Sequence, residues 1–370
     1  MTASSASPDC RPAASPRSPS SADSLSVAAP HATASIERLG SGRDLAAVAR
    51  LLRELADLKR LGSAEYPSSW ASWRFRQVWV RLIELDALAT AATEGLETLR
   101  PRWEQLVWEE VAAAIIATRL SAISAERLLH LRMPAAAIAD AFQAAIDEHA
   151  AALDASTTQQ VRDAAQRLVA IASREGAWLE QRVAPEAQLP DFVARLALEP
   201  RAGATAVGRS RALVVPPENH AEHCYMTGVN AAVLAAAFEA DAADAFIVSQ
   251  LHHLHNAYLP DGGFAGEMLL GEHLATVVTT AKAIAWRQLP PQLGWHGSSL
   301  MAEISGCETP LGACFNAADS LDRLLQVEFH ASQASFRVEH ATRDLEIVHA
   351  GPLQEFQNAL ASALHIGQPA

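Results

Sequence analysis

PPENHAEHCYMTGVNAAVLA, residues 216–235, and LHHLHNA, residues 251–257, are the stretches whose reading decides the fold. The chain has fourteen histidines, and these two stretches hold five of them: His220, His223, His252, His253 and His255. The first stretch reads as a helix from about His220 to Ala240, the second as the end of a helix from about Ala242 to His255. In a helix, residues three apart share a face, while neighbours point about 100° apart. His220 and His223 are therefore one turn apart, His252 and His255 share a face, and His253 leans toward a neighbour. Neutral imidazole is the commonest metal ligand. Two imidazoles on one helix and two on the next converge if the helices pack antiparallel. A lone core histidine would need no such account. A cluster this dense in an Ala-rich chain points to metal.

Outward from this cluster, composition points to helix throughout. The chain has 370 residues, 50% of them hydrophobic. Alanine loses no side-chain entropy in a helix and long unbranched side chains lose little. The expected fold is all-α. Residues 1–38, rich in Ser, Ala and Pro, cannot bury enough apolar surface to order themselves and read as disordered. Residues 40–200 read as an all-α domain without a catalytic constellation. Its tryptophans (Trp70, Trp73, Trp79, Trp103 and Trp108) read as core filling, and Pro101 as the first residue of a helix. Residues 209–332 read as a second, metal-binding helical domain with a loop at LPDGGFAG and helices over about 269–288, 298–305 and 310–329. Residues 333–370 read as an extension with a closing helix, and VEHATRDLEIVHA admits a short hairpin.

The net charge of −13 argues against a general nucleic-acid binder, since an acidic surface repels phosphate backbones. No apolar run approaches the roughly 18 residues of a membrane span, and the start of the chain lacks an apolar signal core. The expectation is a soluble, cytoplasmic protein with no membrane partner. Its long amphipathic helices permit a homodimer. Cys10, Cys224, Cys307 and Cys314 form no CxxC and read as buried or free thiols.

At residues 216–235 a family resemblance emerges. The segment resembles the first helix of HD-domain 5′-deoxynucleotidases, which reads like PESVAEHS followed by an apolar helix; Pro217, Glu218, Ala221, Glu222 and His223 match. The family's next helix carries a His-Asp pair, a Glu four residues after the His and an Asp nine after it. His252, His253, Asn256 and Asp261 take those positions. Its third element, a Glu followed sixteen residues later by the last metal-ligating Asp, is matched by Glu303 and Asp319, with LDRLLQVEF beyond. The resemblance spans about residues 209–330.

It implies an HD-type phosphohydrolase acting on a nucleotide or another small phosphate ester. A divalent transition metal (Zn, Mn, Co or Fe) would bind at His223, His252, His253 and Asp319. Arg209 or Arg211 would contact the substrate phosphate, and Asp261 or His255 would position water. Two departures stand out. His253 replaces an aspartate, and Asn256 replaces a catalytic glutamate with an amide that takes no proton from water. These favour a degenerate HD domain, binding metal or nucleotide without turnover, as the second reading. A third, a dinuclear iron oxygenase, would need His273 and His296 for a second metal, although His296 reads as lying in a loop.

Overall fold

The computed structural model describes residues 43–64, 66, 68–175, 189–202, 217–333 and 351–367, with isolated positions at 37, 39–40, 338 and 342. The N-terminal tail, Cys10, Arg209, Arg211 and most of the VEHATRDLEIVHA stretch lie outside them. Among the described residues the fold is all-α, with fourteen α-helices and no strand. Two isolated bridges occur, Ser63 with Tyr66 and Pro200 with Asn219.

The helices are α1 (Leu45–Ala56), α2 (Trp70–Ala91), α3 (Leu96–Leu120), α4 (Ala125–His130), α5 (Ala135–Asp147), α6 (Ala155–Glu175) and α7 (Asp191–Leu198). They continue with α8 (His220–Leu234), α9 (Ala242–Leu251), α10 (Gly263–Leu270), α11 (Leu274–Trp286), α12 (Pro291–Glu303), α13 (Pro310–Gln333) and α14 (Pro352–Ala363).

Everything else is arranged around α8. All of its residues are buried, as expected of a helix with no polar stripe to turn toward water. α2, α3, α7, α9 and α13 surround it. Its N-terminus is fixed by a capping box: Asn219 Oδ1 accepts from the Glu222 amide, and Glu222 accepts from the Asn219 amide, both at 2.9 Å. Glu222 also accepts from Ser69 Oγ at 2.5 Å, and Ser69 caps α2. Two helix starts are thus pinned together.

Among the described residues, most of the buried apolar side chains form one continuous cluster running from Leu39 to Ile366. The boundary expected near residue 209 does not separate two cores. Trp79 and Trp103 are fully enclosed and Trp70 and Trp108 nearly so, filling the core as expected, while Trp73 is part-buried against it. Cys224, Cys307 and Cys314 are buried free thiols.

Several boundaries differ from the sequence reading. Pro101 lies in the second turn of α3, which starts a turn earlier, after Gly95. The helix predicted over 220–240 ends at Leu234 and tightens into a 3-10 turn, Ala235–Phe238. LPDGGFAG is not all loop, because α10 starts within it. The helix predicted over 269–288 is interrupted by Gly271, at φ 51°, which only glycine adopts readily. The helix predicted over 298–305 begins at Pro291 instead, proline being well suited to a first helical position. Most consequentially, α9 stops at Leu251 rather than His255, leaving His252 and His253 in a turn before a second 3-10 segment, Leu254–Ala257.

Packing is close where α8 meets α9 at Gly228. A Cβ there would lie 2.4 Å from Gln250 Nε2 and 3.0 Å from the Phe246 ring. Gly228→Ala lowers stability by about 1–3 kcal/mol through overpacking, read as a fall in the urea midpoint. Gly266→Ala, in α10 with open space around its Cβ site, leaves stability unchanged or raises it by at most about 1 kcal/mol.

Candidate metal centre

The early end of α9 makes the site. With His252 and His253 in a turn, the 100° separation of helical neighbours no longer holds. Their rings lie 4.1 Å apart between centroids, and both face His223 of α8, at 5.1 and 5.0 Å. From α13, Asp319 places Oδ1 2.9 Å from His223 Nε2 and 3.9 Å from His252 Nε2. His223, His252, His253 and Asp319 each offer one ligand atom, all within 4.8 Å of one another.

Hydrogen bonds fix what each ring presents. His223 Nδ1 lies 2.7 Å from Asp322 Oδ2, His252 Nδ1 lies 2.7 Å from the Ser249 carbonyl, and His253 Nδ1 lies 2.8 Å from Asn256 Oδ1. The Asn256 amide nitrogen donates to the Leu259 carbonyl, so its oxygen is the end turned to His253. All three partners are acceptors. Each Nδ1 therefore carries the proton, and each neutral ring turns an Nε2 lone pair into the cluster. His223 Nε2 and His252 Nε2 are 3.2 Å apart. His253 Nε2 and Asp319 Oδ1 are buried without a hydrogen-bond partner. Lone pairs at this separation repel unless a cation sits among them.

A proton would serve only poorly. Burial, with the charge of Arg201, holds His223 down to about 3. Burial, with the neighbouring rings, holds His252 and His253 well below the usual imidazole value. A divalent ion fits better. Metal–nitrogen bonds of 2.0–2.1 Å place tetrahedral ligands about 3.3 Å apart, and the separations of 2.9, 3.2 and 3.9 Å bracket that value. Oxygen acceptors behind ligating imidazoles are the usual support of such sites.

Behind Asp319, one turn along α13, stands Asp322, fully buried. It joins His223 to Lys59, whose ammonium meets Asp322 Oδ1 at 2.6 Å and also Glu218. Burial alone would lower the Lys59 pKa, but Asp322 and Glu218 outweigh it and raise it. Burial opposes ionisation of Asp319, yet Arg323, bonded to its Oδ2 at 3.1 Å, favours the carboxylate and the net shift is well below the carboxylate range.

The remaining expected residues divide. His255 lies beside His253, with ring centroids 5.9 Å apart and its Nδ1 unpartnered, and burial holds it down to about 4. Asp261 is at the rim of the cluster, accepting from the amides of Ala202 and Gly263, both at 2.9 Å. Burial raises its pKa, but those amides and Arg201 outweigh it and the net shift is downward. His273 and His296 do not join the cluster. His273 is 81% exposed beside Glu272. His296 is not in a loop but buried in α12, bonded to Asp244 at 2.7 Å and stacked on Trp103. The ring is committed to packing, so the second-metal expectation is corrected.

Three residues, Arg201, Asp322 and Lys59, escaped the sequence reading, and His220, read there only as a member of the histidine cluster, has a defined place. His220 is fully buried. Its Nδ1 lies 3.0 Å from the Glu199 carbonyl, and its unpartnered Nε2 lies 4.0 Å from Asp261. Arg201 reaches the site because residues 199–201 run beside 218–220: its amide donates to the Glu218 carbonyl at 2.8 Å, and its Nη1 lies 3.6 Å from Glu218 Oε2. Asp322 had a faint signal, three residues from Asp319. Lys59 had none.

Comparison with protein-family models, with curated proteins and with solved structures finds no match for this chain.

Two outcomes follow. Asn256→Ala, which frees the His253 ring, weakens zinc binding by about 10–100-fold, read by competition titration. The second concerns pH in metal-free protein. His220, His223 and His255 have folded values near 4, 3 and 4, below their unfolded value, so unfolding takes up protons. Stability is fully present above about pH 6.5 and is lost as pH falls toward 4, with a slope of about 1.4 kcal/mol per pH unit for each histidine. Urea titrations between pH 7 and 4 read this slope.

Proposed function

We propose that the chain is a metal-dependent phosphohydrolase acting on a nucleotide or another small phosphate ester, with an HD-type arrangement of ligands. The observation that carries this reading is the set of three imidazoles whose Nδ1 atoms are all engaged by oxygen and whose Nε2 atoms converge with Asp319. His223, His252, His253 and Asp319 would hold a zinc, manganese, cobalt or iron ion. When bound, such an ion polarises a phosphoryl oxygen and lowers the pKa of a coordinated water.

The chain's own residues supply the rest. Arg201 is the anion anchor in this reading, replacing Arg209 and Arg211, which lie outside the described residues. Its guanidinium is only 12% exposed and its Nη1 makes no hydrogen bond, leaving a donor for a phosphate oxygen. The acidic surface and the enclosed cluster favour a small ester over a polymer. Asp261, ionised and held by two amides, orients a polar group at the rim, and His220 or His255 offers a nitrogen for a proton there.

One observation favours the second reading, a domain that binds metal or nucleotide without turnover. Asn256 stands where the similar nucleotidases carry glutamate, and its amide is spent on orienting His253.

Phosphate release from nucleoside monophosphates, in the presence of each metal, separates the two. The hydrolase reading expects turnover that depends on metal and is lost in His252→Ala. Arg201→Ala lowers kcat/KM on the order of 100-fold, with partial recovery in Arg201→Lys. One metal per chain with no release from any phosphate ester favours the binding reading.

A further inference from the structure

Glu218 and Asp322 are buried carboxylates, 7% and 0% exposed. With His223 they form a second group whose ligand atoms lie within 4.8 Å of one another. Two carboxylates this close and this dry call for a cation between them, because neither water nor distance relieves their repulsion. A cation is present. Lys59 Nζ contacts Glu218 Oε1 and both oxygens of Asp322, at 2.6 and 2.7 Å, and its side chain is 2% exposed.

The two groups share His223, which turns Nε2 toward one and Nδ1 toward the other. The two cation positions therefore lie on opposite sides of one imidazole ring, farther apart than the roughly 3.5–4 Å of a two-metal centre. The lysine comes from the 3-10 turn after α1, so the N-terminal helices supply the counter-charge for a site built by α8 and α13.

We propose that Lys59 is the resident occupant of a second cation site formed by Glu218 and Asp322 beside His223. Without the lysine, a hard, oxygen-preferring divalent ion of the Mn²⁺ kind takes its place. Carboxylate oxygens and water suit such an ion. The tethered ammonium is the reason the centre takes one exchangeable metal rather than two. This inference rests on the metal reading only for the first site.

The test is Mn²⁺ binding by full-length wild type, Lys59→Ala and Lys59→Ala/Glu218→Gln, counted by equilibrium dialysis. Lys59→Ala is expected to bind one Mn²⁺ more than wild type, and the double variant to return to the wild-type number. The expected counts are one, two and one. A wild type without Mn²⁺ would count against the first site alone, because the inference is read from the difference between variants. An unchanged count in Lys59→Ala overturns the proposal, as does an extra ion that persists in the double variant. If Lys59→Ala does not fold, Mn²⁺ at millimolar concentration should restore its folding, read by circular dichroism, and Lys59→Gln carries the same count. Failure of both variants to fold with and without Mn²⁺ also overturns it.

Discussion

Three imidazole lone pairs are aimed at one another inside this protein, because the acceptor behind each ring draws its proton to the far nitrogen. That arrangement is costly in isolation. Each ring has its Nδ1 proton taken by an oxygen that can only accept: Asp322 for His223, a backbone carbonyl for His252, and the oriented amide of Asn256 for His253. Burial makes imidazolium expensive at all three positions. A fold that maintains such a constraint makes sense if a cation settles it, and Asp319 supplies a negative charge in the right place.

The rest of the architecture serves this constraint. A helix buried on every side provides a rigid seat for His223, and its capping box keeps the first turn from fraying. The end of α9 at Leu251 lets two consecutive residues face one point, which a continued helix would forbid. Asp319 and Asp322, one turn apart on α13, divide the work between the cluster and its support. Lys59 crosses from the N-terminal helices to neutralise the supporting carboxylates. The two halves read from sequence thus share a core and a chain of charges.

The all-α class was legible in composition, because alanine and leucine dominate and β-branched runs are scarce. The histidines of the cluster were legible in their density along the chain, whereas Asp319 entered only as an expectation from a resemblance that no comparison supports. What escaped reading depends on the chain leaving regular periodicity or crossing a long sequence distance. LHHLHNA looks like continuous helix, so His255 seemed to share a face with His252, and no residue there announces the break. His296 follows two prolines that read as a loop, whereas proline at a first helical position starts α12. Lys59 and Arg201 sit in ordinary amphipathic and loop-like contexts far from residue 223. Their roles arise from burial, which a sequence pattern does not carry.

Everything in this site turns on the tautomeric state of the three rings and on the capture of their Nε2 atoms by metal. Long-range ¹H–¹⁵N correlation of the histidine side chains, before and after one equivalent of Zn²⁺, reads both. In metal-free protein His223, His252 and His253 should all carry the proton on Nδ1. At one equivalent, their three Nε2 resonances should move together to coordinated values. Mixed tautomers, or three rings indifferent to Zn²⁺, would contradict this assignment and leave the cluster a matter of packing alone.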